Sequence, residues 1–544
     1  MNKSDHKEHS KAIKTLEQKA VKGNVLSMFQ LYENYSTGKN VEAVNKDAAQ
    51  NYLTEITARL PTLHFKINSI NLHEFRGFRN LDIKLHPQIT VIIGNNGAGK
   101  TNIAESIAKL LSWFNQNLMK SNVSGKRIVE SDINVKAETY AQLIGEFQLG
   151  AENKLEVSLC APVLGYSGHI ASVVSTSKKV GDMYRRLVEK ESVPIPLFAF
   201  YSVKRSSVVM PKIASDKTFL DISNSRFNAL KDSLEASTQL EDFSRKYIEL
   251  YNLAENEDSQ EVKESRQTIN SLDKLIKKRN KEQKLDNASE LAQELKLEKE
   301  HLQKLIDKQP SKYRNLLKQV NDAINCLVPD VVNFTVDRST GNQRLLVENF
   351  GNQINISQLS QGQKSFVALV GDLALRLVTL NPNLPNALSN HGIVIIDEIE
   401  LHLHPSWQQE VLYGLQITFP NIQFIVTTHS PQVLSTVDKT CIRQIYLGDN
   451  NEPNIKTPEF QTCGVTSASI LAQVMETDSI PNNIPQAKLV DSFYTLVAKH
   501  KIDEAKQKLI EIEKHFDKEH PITKECSESL AIYELKKKYM QTKE

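Results

Sequence analysis

One stretch limits what this chain can become: Val91-Ile-Ile-Gly-Asn-Asn-Gly-Ala-Gly-Lys-Thr-Asn102. The β-branched run Ile89–Ile93 predicts a buried strand. It stops at Gly94, and the segment from Gly94 to Thr101 fits G-x-x-x-x-G-K-[ST] at every fixed position. Gly94, Gly97 and Gly99 allow backbone angles that turn successive N–H groups, those of Asn95, Asn96 and Ala98 included, around a polyphosphate. Lys100 brings a positive charge to the β- and γ-phosphates, and the Thr101 hydroxyl is suited to ligate Mg²⁺. Asn102 follows in the first turn of a helix expected from Ile103, Ile107, Leu110 and Leu111, whose N-terminus points at the phosphates. A Gly-rich turn that only joined a strand to a helix would have no reason to match every fixed position. The expected ligands are ATP and Mg²⁺.

Global charge adds little to this. Lys and Arg number 67 against 65 for Asp and Glu, a net +2, so any contact with nucleic acid must be local. No apolar run approaches the ~18 residues of a membrane span, and the polar start lacks a signal-peptide core; a cytoplasmic chain with no membrane partner is expected. The five cysteines (Cys160, Cys326, Cys441, Cys463, Cys526) contain no C-x-x-C pair, which argues against a zinc ribbon or a disulfide scaffold.

The 544 residues predict several domains. Residues 1–60 read as a helical hairpin: Ala12, Ile13, Leu16 and Ala20 share one face, Gly23 ends that helix, and Val25 to Tyr35 form a second that stops at Gly38. Its small-residue spacing resembles a Sel1-type unit. A first ATPase lobe, 61–225, holds strands at Phe65–Ile70 and Leu81–Leu85 on either side of Leu72-His-Glu-Phe-Arg-Gly-Phe-Arg79. It also holds an antiparallel pair, Leu143–Leu149 with Leu155–Leu159, and a buried strand at Pro196–Tyr201 followed by Lys204 and Arg205. Core packing explains Phe75 and Phe78 but does not call for Arg76 beside Gly77. Residues 226–325 turn polar and helical, with two arms of about twenty residues, ~30 Å long. The tip between them (Lys277, Lys278, Arg279, Lys281, Lys284) could touch a phosphate backbone, although such a run is more often a solvated face.

A second lobe, 326–450, carries the remaining motifs. Ile356-Ser-Gln-Leu-Ser-Gln-Gly-Gln-Lys364 contains L-S-x-G-Q, with Ser360, Gly362 and Gln363 at its fixed positions. Ser360 is suited to cap the helix that continues through Phe366, Leu369, Val370 and Leu373, which would make an anion site. Ile393-Val-Ile-Ile-Asp-Glu398 reads as a buried strand ending in two carboxylates: Asp397 for Mg²⁺, and Glu398 to polarise the attacking water. Phe424-Ile-Val-Thr-Thr-His-Ser-Pro431 is another strand, with His429 at its exit within reach of a γ-phosphate. Each fragment has a structural explanation by itself. Four in this order do not. His402 and His404, in Glu400-Leu-His-Leu-His-Pro405, lack a third nearby ligand for a metal.

With these motifs the chain resembles the SMC/RecF/OLD branch of ABC-type ATPases. That resemblance implies an α/β fold: an ABC-type P-loop head with the N-terminal hairpin, the helical insertion and a C-terminal helical region, 451–544. The F-R-G-F turn upstream of the phosphate loop would place Arg76 near the nucleotide. In such heads a glutamine after a strand senses Mg²⁺ and the γ-phosphate; Gln142 and Gln148 both fit, and the sequence does not choose between them. The E-L-H-L-H-P string is similar to that of OLD-type ATPases, where the loop crosses a dimer interface. Lys100 and Ser360 stand 260 residues apart, and in these relatives the signature of one protomer completes the phosphate loop of another, so ATP joins two heads in a homodimer or higher oligomer. OLD nucleases add a nuclease that needs an Asp-x-Asp pair; none occurs beyond Asp397, where Ile470–Met475, Leu489–Val497, Ile502–Ile512 and Ser527–Tyr539 read as helices.

An OLD-type head with a short insert and a nuclease-free helical tail resembles the ATPases of Septu anti-phage systems, in the version found beside a retron reverse transcriptase. This implies a regulatory ATPase without its own nuclease activity that controls an HNH nuclease subunit (PtuB-like) docked on the C-terminal helices. The reverse transcriptase and its RNA-linked DNA (msDNA) would be further partners. A second reading is a RecF/SMC-like DNA-repair ATPase acting directly on DNA. Near-neutral charge and short arms count against it.

Overall fold

The computed structural model describes residues 3–41, 43–168, 170–190, 192–203, 226–235, 240–257, 259–281, 288–308, 311–339, 341–448, 452–477 and 484–541. Two compact units divide the chain, Met1–Gly464 and Val465–Glu544. The strands of the first unit are β1 (Phe65–Phe75), β2 (Phe78–Lys84), β3 (Ile89–Ile93), β4 (Tyr140–Leu149), β5 (Lys154–Pro162), β6 (Leu197–Tyr201), β7 (Val331–Asp337), β8 (Arg344–Asn349), β9 (Asn352–Asn355), β10 (Gly392–Ile396), β11 (Ile422–Thr427), β12 (Ile442–Leu447) and β13 (Pro453–Lys456).

The central sheet has the order β13-β12-β3-β11-β10-β6. From β12 to β6 every pairing is parallel. Each residue of β3, β6, β10 and β11 is buried, the polar Thr90, Gln423 and Thr427 among them, as expected of strands covered on both faces. The parallel arrangement brings the C-terminal ends of β3, β11, β10 and β6 to one edge, where open α/β sheets bind ligands. A second, antiparallel sheet runs β2-β1-β4-β5, and a third β7-β8-β9.

Several expectations change. The first strand runs on to Phe75, which pairs with Phe78, so only Arg76 and Gly77 form the turn between β1 and β2. The sheet does not end at Leu447, because β13 folds back antiparallel on β12. The N-terminal segment has a third helix, Lys46–Arg59, capped by the Asn45 side chain, after Lys3–Val21 and Val25–Thr37. The insertion arms are helices Gln260–Lys281 and Ala288–Lys308. The side chains of the basic tip from Lys277 to Lys284 lie outside the described residues, as do Lys204 and Arg205.

The signature helix, Gln361–Leu380, crosses the interior and carries a fully buried acid, Asp372. Its carboxylate accepts hydrogen bonds from the Lys246 ammonium (2.8 Å), Arg376 Nε (2.6 Å) and the Tyr201 hydroxyl (3.0 Å). Lys246 belongs to helix Leu240–Asn256, which leads toward the arms, and Tyr201 ends β6. One carboxylate therefore joins three elements. Burial pushes the acid up, but Arg376 and Lys246 outweigh it and hold the carboxyl well below the usual range.

The second unit is helical: Ser467–Gln473, Pro485–Ala498, Ile502–Phe516 and Pro521–Gln541. Phe493, Ala505, Ile512, Cys526 and Leu530 form its core. Among the described residues of the whole chain, no helix is long and apolar enough to cross a membrane.

Candidate nucleotide site

The phosphate loop follows β3 and opens the helix Lys100–Met119. Gly99 has φ of 99°, and a Cβ there would lie 2.4 Å from the Phe78 ring, so both backbone angle and space exclude a side chain. Phe78, expected from sequence only to fill core, is the floor under the loop. The Lys100 ammonium donates to the carbonyls of Gly94 (2.9 Å) and Asn95 (3.1 Å). Burial pulls its pKa down, while Glu398, Asp397 and Glu400 act in the opposite direction. A partly desolvated cation held among loop carbonyls is well matched to an incoming phosphate.

Thr101 and the end of β10 meet directly. The Thr101 hydroxyl donates to one Asp397 oxygen at 2.9 Å, and the Thr427 hydroxyl donates to the other at 2.6 Å. Thr427 also accepts a hydrogen bond from the Glu398 amide (2.8 Å). Since β11 lies between β3 and β10, its last residue bonds the Asp397 carboxylate, which Thr101 of the phosphate-loop helix also reaches, and the Glu398 backbone. Sequence reasoning missed Thr427, although the T-T-H string next to His429 was the available signal. The oxygens of Thr101 and Asp397 are hard donors of the kind Mg²⁺ favours, so the residues present fit that ion.

Glu398 has φ of 47°, the left-handed region, uncommon for a residue with a side chain. Such strain concentrates at functional positions. The His429 amide donates to Glu400 Oε1 at 2.5 Å, holding the β11 exit against the loop that follows β10. Burial and then Lys100 lower the imidazole pKa, partly offset by the three acids, so His429 favours its neutral form.

Ser360 caps the signature helix in a reciprocal box. Its hydroxyl accepts from the Gln363 amide (3.3 Å), and the Gln363 side chain accepts from the Ser360 amide (3.1 Å). Gln363 also donates to the Asn349 side chain at the end of β8 (3.1 Å). Gly362, in the first turn of the signature helix, packs against the loop after β10: an added Cβ would lie 2.3 Å from the His402 carbonyl oxygen. His404 caps the helix Pro405–Thr418 through Nδ1, which gives it a structural task. We expect Gly362→Ala to lower stability by about 1–3 kcal/mol, because a backbone carbonyl cannot turn aside as a side chain can. Thermal unfolding checks this, and an unchanged midpoint would contradict the close approach.

Arg76 reaches the phosphate-loop helix but not as a free charge. Its guanidinium donates to Asn102 (2.8 Å) and pairs with Glu105 (2.6 Å) and Asp132 (2.9 Å). Both glutamines considered for the sensing role lie on β4, in the antiparallel sheet: Gln142 donates to Ser158 (2.9 Å) and Gln148 accepts from Asn68 (3.1 Å). β10 pairs with β11 on one side and β6 on the other; the Tyr201 carbonyl at the end of β6 accepts from the Asp397 amide at 2.8 Å, and Ser202 follows it.

The AAA ATPase domain family model matches residues 65–434. "Retron Vc95 probable ATPase" of Vibrio cholerae is 31% identical over 87% of this chain and 90% of its own length. "Retron Ec83 probable ATPase" of Escherichia coli is 30% identical over 93% and 94%. "Septu protein PtuA" of Bacillus mycoides matches at 41%, but over only 14% of this chain and 10% of that protein. Among solved structures, the Smc head domain of Pyrococcus furiosus bound to the C-terminal domain of ScpA covers 72% of this chain and 96% of its own at 16% identity. Its TM-score is 0.38, too low to bear on mechanism.

Proposed function

This chain belongs to the AAA ATPase domain family, and from that premise we propose that it is the regulatory ATPase of a retron- or Septu-type anti-phage defence system, closing head to head on ATP to control a separate HNH nuclease. The reading rests on one observation above all: Lys100, Thr101, Asp397, Glu398 and His429 follow strands that end at a single edge of the sheet, where Thr101 and Thr427 both bond Asp397 and Thr427 also bonds the Glu398 amide.

In this reading the amides from Gly94 to Asn102 and the Lys100 ammonium hold the triphosphate. Thr101 and Asp397 would hold Mg²⁺, which when bound neutralises phosphate charge. Glu398 orients the water and accepts its proton, and neutral His429 donates toward the γ-phosphate. Arg76 positions Asn102 in the first turn of the phosphate-loop helix. Ser360, Gly362 and Gln363 offer their helix N-terminus to a nucleotide held by another copy. What supports action in trans is that, among the described residues, the side-chain hydrogen bonds of Ser360 and Gln363 go to each other's amides and to Asn349 and not to the phosphate loop. The helical unit Val465–Glu544 would carry the nuclease, and the retron reverse transcriptase with its RNA-linked DNA would join the same assembly.

Sedimentation tests the gate. With ATP, Glu398→Gln should run at twice the mass of its nucleotide-free form, and Lys100→Ala should remain at the nucleotide-free mass. Equal masses in all three samples would end the head-to-head reading.

A further inference from the structure

The β8–β9 hairpin closes through two residues, Phe350 and Gly351, between the paired Asn349 and Asn352. Both central residues have positive φ, 49° and 75°. Turns of this kind favour Asn-Gly, because a short polar side chain or none tolerates the left-handed region. A bulky aromatic residue in that conformation is an outlier. Phe350 moreover gains nothing from burial, since it is 74% exposed. A strained backbone that presents a ring to solvent calls for a role outside the folding of this chain.

Its place indicates which role. Asn349, the residue before it, accepts the hydrogen bond from Gln363 and so ties the hairpin tip to the capping box of the signature helix. Wherever Ser360 goes, Phe350 goes with it. On the phosphate-loop side the chain has a second unpartnered apolar residue. Val135 is fully exposed, and the turn that carries it is tied to Arg76: the Asn134 side chain donates to the Arg76 carbonyl (2.7 Å), and the Asn134 amide to the Glu74 carbonyl (2.8 Å). Arg76 in turn holds Asn102 (2.8 Å). Each half of the nucleotide site thus carries its own exposed apolar point.

We propose that Phe350 is an interface residue acting in trans, its ring packing on Val135 and the adjoining Arg76 turn of a second copy of this chain when ATP joins the two. A two-fold pair makes the contact twice, since residue i meeting j implies j meeting i. This rests on the head-to-head reading above and adds to it the apolar contact that makes closure depend on more than phosphate and charge.

The test uses full-length Glu398→Gln protein with saturating ATP as parent. Adding Phe350→Asn puts the favoured residue into the turn, so the unfolding midpoint should hold or rise. The concentration for half-association should nevertheless increase by at least about tenfold. Val135→Ser should weaken association in the same way, whereas Phe350→Trp, which keeps a ring, should stay within about threefold of the parent. Binding of a fluorescent ATP analogue to dilute monomer should not change in any of them. If the parent associates and Phe350→Asn associates equally well, this inference fails while the head-to-head reading stands. Equal losses in Phe350→Asn and Phe350→Trp would also overturn it. If the parent itself does not associate, the head-to-head reading fails and this inference with it.

Discussion

Glu398→Gln should slow ATP turnover by about 10²–10⁴-fold while leaving nucleotide affinity within a few-fold of the parent. Glutamine keeps the size and hydrogen-bonding reach of the side chain but cannot accept a proton from water. The backbone around it should hold, because the amide of residue 398 is anchored to the Thr427 hydroxyl at 2.8 Å whatever the side chain. Affinity should persist because the groups assigned to the triphosphate, the loop amides and Lys100, are untouched. Phosphate release measured beside equilibrium binding separates the two effects. A fall in affinity that matched the fall in turnover would place Glu398 in binding, and undiminished turnover would remove it from the chemistry. Thr427→Val is the informative companion, since it removes the hydroxyl that serves the Asp397 carboxylate and the Glu398 amide and leaves both carboxylates in place.

The largest effect on stability is expected at Asp372. Asp372→Asn leaves the Lys246 and Arg376 charges buried without their counter-ion, and breaking a buried pair in this way costs about 3–5 kcal/mol. The loss should be cooperative, because the carboxylate joins helix Leu240–Asn256, the signature helix and the end of β6. Urea titration measures it. Adding Lys246→Met should recover part of the loss, since one of the two stranded cations is then gone; a pair of strictly additive losses would show that the contact carries no coupling. The acid dependence follows from the sign of the shift. The folded-state pKa lies below the ordinary 3.8, so the contribution is complete above that value and fades only as pH falls through the lower, folded-state value. At neutral pH the protein should be insensitive to this group.

The parts of the site written in contiguous residues were legible beforehand. The phosphate loop, the signature and the β10 carboxylates declare themselves through spacing, because each is a local backbone geometry with a local composition. Contacts between distant segments were not legible. Thr427 meets Asp397 only because β11 enters the sheet between β3 and β10. Gly362 matters because His402, forty residues later, places a carbonyl against it. The sequence did not choose between the two glutamines, and only strand pairing shows that both lie on β4 of the antiparallel sheet while β10 pairs with β11 and β6. Short edge elements also escaped: β13, Pro453–Lys456, has too few residues for alternation to register. The third N-terminal helix has a weak apolar face whose buried positions, Ala49, Leu53 and Ile56, become clear only against its neighbours.

Sheet order has a metric consequence. With β11 interposed, the loop after β3 and the acids after β10 are separated by two strand spacings, roughly 10 Å at the positions where the backbones run in register. That width is a gauge cut in main-chain hydrogen bonds, and no side-chain replacement along the edge can reset it. Evolution of this pocket is therefore free to retune reactivity residue by residue, while the length of guest it admits stays locked to the topology.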